Sequence, residues 1–269
     1  MTKTILITGS TDGIGLATAL RLAEEGHHIL LHGRSEKKLA DARNKLKQVE
    51  GSGEVSCYQA DLSVMADVVR FAEKVKAEQT HIDVLINNAG IFKTEERITS
   101  DGLDVRFAVN TVAPYLLTEK LLPLLGSQGR VINLSSAAQS EVNLEALLGV
   151  VSVEQDFNAY AQSKLAITMW SRVLAKSLTA GPAVIAVNPG SMLGTNMVQK
   201  GFGVSGNDIS IGVNILTALA LDDKYQQCSG QYFDNDAGHF ADPHIDALDQ
   251  HKSVAVVDAI KNILTELKL

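Results

Sequence analysis

The sequence predicts an α/β protein. It reads as a doubly wound parallel sheet of about seven strands with helices on both faces, forming one domain over residues 1–269. Three observations predict this. Short apolar runs alternate with longer amphipathic stretches. Most runs carry Val, Ile or Leu on both faces, as strands covered on both sides do. The first run ends in a glycine-rich turn that leads straight into a helical pattern.

Thr4–Thr8 is the first predicted strand. Ile14–Glu25 is the first helix, with Leu16, Ala19, Leu20 and Ala23 on one face. Ile29–His32 follows as a strand. The helix Ser35–Glu50 has Ser35 as N-cap, because a hydroxyl can accept one of the orphan N–H groups there, and Leu39, Ala42 and Leu46 supply its stripe. After the strand Val55–Gln59, Asp61-Leu62-Ser63 opens a third helix to about Gln79, with Asp61 in its N-cap region. Val84–Asn87, Arg130–Leu134 and Val184–Asn188 are further strands, and a last one lies near Tyr232-Phe233. Strand–helix–strand repetition implies right-handed crossovers. Residues 243–269 read as a C-terminal helical extension of the same domain. Val257, Ile260, Ile263, Leu264 and Leu267 are in register to pack on the core or on a partner.

Composition narrows the function classes. Lys and Arg number 24 against 31 Asp and Glu, a net charge of −7, which disfavours nucleic acid or an anionic membrane as partner. Cys57 and Cys228 are isolated and read as reduced thiols. No apolar run approaches the roughly 18–20 residues of a membrane span, and the first run stops at Gly9, short of a signal peptide. The expectation is a cytoplasmic protein with no membrane partner. The seven histidines form no ligand pair, and Asp234–His239 lacks a full calcium-loop pattern. No metal is expected, and that stretch reads as a solvated turn.

The chemistry starts in Thr8-Gly9-Ser10-Thr11-Asp12-Gly13-Ile14-Gly15. Gly9 allows a sharp turn, Gly13 lets backbone approach a phosphate, and Gly15 lets helix and strand pack closely. The helix N-terminus offers free N–H groups and a positive dipole end to a pyrophosphate. A dinucleotide cofactor is therefore expected on a Rossmann-type sheet. The second strand ends His32-Gly33-Arg34-Ser35. An acidic residue there would accept the two adenosine ribose hydroxyls of NAD(H). Gly33 supplies none, and Arg34 can pair with a 2′-phosphate, with Lys37 and Lys38 adding positive potential. NADP(H) is expected over NAD(H), although Asp12 puts a negative charge in the loop.

The loop spacing is TGxxxGxG, and further motifs follow in order. Asn87-Asn88-Ala89-Gly90 closes the fourth strand, Asn110 lies in the next helix and Ser135-Ser136 ends the fifth strand. Tyr160-Ala161-Gln162-Ser163-Lys164 is a YxxxK, and Asn188-Pro189-Gly190 ends the sixth strand. From about Lys3 to Gly238 the chain resembles the short-chain dehydrogenase/reductase family. The resemblance implies that Tyr160 is the acid/base and that Lys164 lowers its pKa and holds the nicotinamide ribose. It implies that Ser136 polarises the substrate oxygen and that Asn110 holds a water for proton resupply. It also places Gly9, Ser10, Thr11, Asp12, Gly13, Ile14 and Gly15 on the cofactor phosphates, with Asp61 and Leu62 at the adenine. Asn88, Ala89 and Gly90 then lie on the adenosine ribose side, and Pro189, Gly190 and Thr195 at the nicotinamide end. Thr195 stands one residue later than the commonest spacing. Pro114 is expected to bend the Asn110 helix.

Twenty-four positions separate Ser136 from Tyr160, more than in many relatives. The extra segment, roughly 139–158, looks like that of the retinol dehydrogenase-like branch, which acts on apolar carbonyls and alcohols. Met192, Leu193, Met197, Val198 and Phe202 are the expected apolar substrate wall. The resulting expectation is a carbonyl reductase or alcohol dehydrogenase for a small, apolar carbonyl or alcohol. Reduction of an activated C=C bond, or a cofactor-binding sensor or scaffold with little turnover, is the alternative. The Tyr160 helix and the one around Leu103–Leu125 commonly form a dimer interface in the family, so a homodimer or homotetramer is expected.

Overall fold

The computed structural model describes residues 1–269. Alternation along the strands produces two cores, one on each face of the sheet. In β1 (Thr4–Ile7) Leu6 faces one layer while Ile5 and Ile7 face the other. The chain continues through α1 (Gly13–Glu24), β2 (His28–Gly33), α2 (Glu36–Lys47), β3 (Val55–Gln59), α3 (Met65–Glu78) and β4 (Ile82–Asn87). Next come α4 (Val105–Phe107), a π-helical turn (Ala108–Val112), α5 (Ala113–Leu121) and β5 (Leu125–Leu134). They are followed by α6 (Leu144–Leu147), α7 (Asp156–Ser177), β6 (Ala183–Asn188), α8 (Asn196–Phe202) and α9 (Ser210–Leu221). β7 (Tyr232–Asp234), β8 (His239–Ala241), α10 (Ile245–Leu248) and α11 (Gln250–Glu266) complete it.

The sheet order is β3-β2-β1-β4-β5-β6-β7-β8, parallel up to β7. The chain steps outward from β1 to β3 and returns to β4 beside β1. That reversal opens a crevice at the carboxyl ends of β1 and β4, where ligands of such sheets bind. Helices α3, α5, α7 and α11 pack on one face, and α1, α2 and α9 on the other.

The expected sheet of about seven strands is present with a short eighth, since the turn after Asp234 doubles back into antiparallel β8. Phe233 and Phe240 hold that hairpin edge to face, 5.1 Å between centroids. Three local expectations are corrected. Asp236 in the turn is not simply solvated, since its carboxylate accepts from Asn188 Nδ2 (2.9 Å) and the Ser191 N–H (2.8 Å). Asp61 does not cap the third helix. Its carboxylate accepts from the N–H (2.9 Å) and hydroxyl (2.7 Å) of Ser63, while Met65 N–H is taken by Asp101 (2.7 Å). β5 starts at Leu125, since Ile82 pairs with Leu125 upstream of a glycine-containing irregularity the apolar pattern could not show.

The tail packs on its own core. α11 lies against α7, and Trp170 is fully buried there, edge-on to Tyr115 at 5.6 Å. α7, one of the two helices expected at a dimer interface, thus carries α11 along part of its surface. No helix is long and apolar enough to cross a membrane.

Candidate active site

A cleft of about 490 Å³ opens at the β1/β4 crevice. Its glycine turn is built from backbone. Gly9 and Gly13 have φ of +64° and +53°, which side chains rarely adopt. A Cβ on Gly9 would lie 2.9 Å from Ala89 Cα, and one on Gly15 2.5 Å from the Gly9 carbonyl oxygen. Asp12 caps α1, accepting from Gly13 N–H at 2.8 Å. Asn88 Nδ2 donates to the carbonyls of Thr8 (2.8 Å) and Gly9 (3.2 Å), and Ala89 N–H donates to the Thr8 hydroxyl (3.0 Å). These bonds tie the turn to the end of β4.

His32 braces the turn from below, a role the sequence reading missed. Its Nδ1 accepts from Gly9 N–H at 3.1 Å, so the proton sits on Nε2 and is donated to the Ala60 carbonyl at 3.2 Å. The ring stacks on Phe71 at 4.7 Å, and burial pushes its pKa down to about 4. Ser10 is buried as well, its hydroxyl accepting from His32 N–H at 2.9 Å. The only signal was a histidine at the end of an otherwise apolar strand.

At the adenosine end Arg34 is exposed, its guanidinium 4.0 Å from the Asp61 carboxylate. Gly33 supplies no carboxylate there, and a Cβ at that position would lie 2.6 Å from the Thr11 methyl, so a larger residue would require Thr11 to move. Lys38 Nζ reaches Asp12 at 3.5 Å. Leu62 is buried and lines the cleft with Asp61.

At the other end Tyr160 and Lys164 project from one face of α7. Lys164 is buried, donates to the Leu134 carbonyl at 2.7 Å, and has its pKa lowered to about 8 by burial. Burial also raises the Tyr160 phenol, while a hydrogen bond with Ser136 pulls it back. The expected lowering by a neighbouring ammonium is not seen in this arrangement: Lys164 Nζ stands 5.6 Å from the Tyr160 ring centroid. Asn110 sits in the π-helical turn before Pro114. Its amide is used by protein, Oδ1 accepting from Ile91 N–H (2.8 Å) and Nδ2 donating to Ile91 O and Ser163 Oγ (both 3.0 Å). The side chain clamps the segment that follows β4 to α7. Ser135 is buried, bonded to Lys164 O (2.8 Å) and Thr168 Oγ1 (2.7 Å).

α8 roofs the cleft. Thr195 caps it, its hydroxyl accepting from Val198 N–H (3.3 Å), and its methyl stands where a Cβ on Gly13 would meet it at 3.6 Å. Asn196 Nδ2 donates to Asp12 at 2.8 Å. Leu193, expected in the substrate wall, is buried core, while α8 itself has no buried residue.

These residues fit a nicotinamide dinucleotide. The first turn of α1 has N–H groups without i−4 carbonyls, no side chain stands on Gly9, Gly13 or Gly15, and the cleft runs from Arg34 to Tyr160 and Lys164. The profile of the short chain dehydrogenases matches residues 3–202. The chain belongs to this family.

Human retinol dehydrogenase 13 is 31% identical over 253 residues, covering 86% of this chain and 76% of that one. The Brassica napus chloroplastic short-chain dehydrogenase TIC 32 A is 30% identical, covering 86% and 79%. Among solved structures, a Mycobacterium paratuberculosis protein matches with TM-score 0.80 and 27% identity over 98% of this chain and 93% of that one. A short chain dehydrogenase of Escherichia coli CFT073 in complex with NADPH matches with TM-score 0.70 and 25% identity over 87% and 96%. As a member, this chain is an NAD(P)-dependent dehydrogenase/reductase that transfers hydride. The dehydrogenase's cleft is lined by Gly9, Thr11, Asp12, Gly13, Ile14, Gly15, Arg34, Asp61, Leu62, Asn88, Ala89, Gly90, Tyr160, Lys164, Pro189 and Thr195 from the predicted set. Ser10, Asn110, Ser136 and Gly190 are not part of that lining, although Ser136 is hydrogen-bonded to Tyr160, which is. Phe92, Lys93, Asn196 and Lys200 line it without having been predicted.

Proposed function

We propose that this short-chain dehydrogenase is an NADP(H)-dependent reductase of a small apolar carbonyl, with Tyr160 as acid/base. The convergence of Tyr160, Lys164 and the Ser136 hydroxyl at one end of a cleft whose other end is the glycine turn carries this reading. The cofactor, when bound, supplies or takes up the hydride. Tyr160 Oη delivers the proton to the carbonyl oxygen as that oxygen gains charge. Ser136 Oγ, already on the phenol, is the second donor to the same oxygen. Lys164, held on the Leu134 carbonyl, would hold the nicotinamide ribose hydroxyls of a bound cofactor and would supply positive potential that favours proton release from the phenol. Asn110 is a positioning residue, fixing Ile91 and Ser163 around them. Arg34 would hold a 2′-phosphate, and Gly33 supplies no acid for the two ribose hydroxyls of an NAD-type cofactor.

The test is NADPH oxidation against a carbonyl panel, with Tyr160→Phe in parallel. The expected result is turnover that falls about a thousandfold in the variant, with NADPH affinity unchanged. Undiminished turnover in Tyr160→Phe, or tight NADPH binding with no turnover on any carbonyl or alcohol, would overturn the reading.

A further inference from the structure

The catalytic end of the cleft carries an aromatic wall that the motifs do not account for. Phe92 is 5% exposed, edge-on to the Tyr160 ring at 5.3 Å between centroids and parallel to Phe202 at 5.2 Å and 14°. The two phenylalanines are held very differently. Phe92 follows Ile91, whose N–H and C=O are both bonded to the Asn110 amide, so its backbone is pinned to the core. Phe202 ends α8, is 48% exposed, and belongs to a helix with no buried residue. α8 is held at this end by the ring stack and by Lys93 Nζ donating to the Gly201 carbonyl at 2.8 Å. Gly201 rides directly on the Phe92 ring, where a Cβ would come within 2.7 Å of it. One ring is a fixed wall and the other is a removable cover.

We propose that Phe92 is the specificity-determining residue of this site and that it selects carbonyls with a flat aromatic or conjugated group, which takes the place of Phe202 against its face. This deepens, and rests on, the reductase reading. A flat π-system replaces a ring–ring contact with another of the same kind, whereas a puckered saturated ring of similar size forfeits the offset or edge-on geometry that aromatic pairs prefer. The carbonyl then lies beside the Tyr160 hydroxyl because Phe92 abuts that ring.

The test pairs two matched carbonyls in wild type, Phe92→Leu and Phe202→Ala. Benzaldehyde and cyclohexanecarbaldehyde are compared by kcat/KM. The inert amides benzamide and cyclohexanecarboxamide are compared by their Kd for NADP-loaded protein. Phe92→Leu stays apolar and buried, so a merely structural role would leave both aromatic-to-saturated ratios where they were. The expected result is that both ratios fall about two- to tenfold in Phe92→Leu, the range aromatic pairs give, with NADPH affinity unchanged. In Phe202→Ala, on an exposed position, benzamide binds at least as tightly as in wild type. Ratios that survive Phe92→Leu, or benzamide binding weakened in Phe202→Ala as much as that of its saturated partner, overturn the proposal. An amide preference that depends on Phe92 but comes with no aldehyde turnover keeps the aromatic wall and removes the reductase. Turnover with ratios insensitive to Phe92 does the reverse.

Discussion

At the glycine turn of the cleft the chain is held by buried groups and backbone shape, whereas at the substrate end it is held by a few surface contacts. The glycine turn is fixed by His32, Asn88 and Ala89 from beneath, each bonded within 3.2 Å. α8 rests on Asn196–Asp12, Lys93–Gly201 and one ring stack. The difference follows from what each end does. A cofactor common to many reactions is met by a preformed cradle, while substrate has to enter and leave beneath a cover that opens at little cost.

One buried cluster stands against that contrast at the substrate end. Arg106, fully buried, pairs with Asp104 and with Asp156 at the start of α7, joining the stretch before Asn110 to the helix of Tyr160. Arg106→Met leaves both carboxylates short of a partner and should cost about 3 kcal/mol in urea unfolding. A loss below about 1 kcal/mol would mean that this end is lightly held throughout.

The cradle's dependence on neutral His32 gives the next largest effect. Its pKa is about 4 folded against an ordinary 6.5, so between these values the unfolded chain binds more protons. The stability is fully present above about pH 6.5 and is lost as pH falls toward 4, by up to about 3 kcal/mol. His32→Gln should flatten the profile of unfolding free energy against pH in that window, and a profile of unchanged slope would remove His32 from the account.

The same substitution placed at both ends sharpens the comparison. Gly15→Ala drives a methyl into the Gly9 carbonyl and should cost about 1–3 kcal/mol, with loss of NADPH binding. Gly203→Ala meets nothing within 4 Å, and its φ of +72° costs only about 1 kcal/mol, with NADPH binding retained. Melting temperatures and NADPH fluorescence titrations of the two proteins decide it. Arg34→Ala should have the smallest effect on folding, since the side chain is exposed. It should weaken NADPH roughly tenfold relative to NADH, and an equal loss for both would sink the 2′-phosphate assignment.

Much of the site was legible because its chemistry is written in local spacing. The glycine turn, Tyr160 and Lys164 four apart on a helix, and apolar runs covered on both faces all depend on backbone periodicity. His32, Phe92 and Arg106 were not legible. Each depends on at least one partner 23 to 110 positions away, and nothing local separates such a residue from an ordinary strand, loop or surface side chain. Asp61 was misread for the same reason, because Asp101, 36 positions from Met65, took the capping bond that local reading gave to a neighbour.

By itself the sequence determined the sheet, the order of its motifs and the chemistry they can carry, because strand burial, helix periodicity and glycine conformations are set within a few residues. The tertiary structure decided how tightly each part is held. It placed α11 over α7, turned Lys164 onto Leu134, and put Phe202 as a cover on Phe92. Those outcomes rest on side chains far apart in the chain meeting in a packed interior or at its edge, and no local pattern encodes which of them will meet.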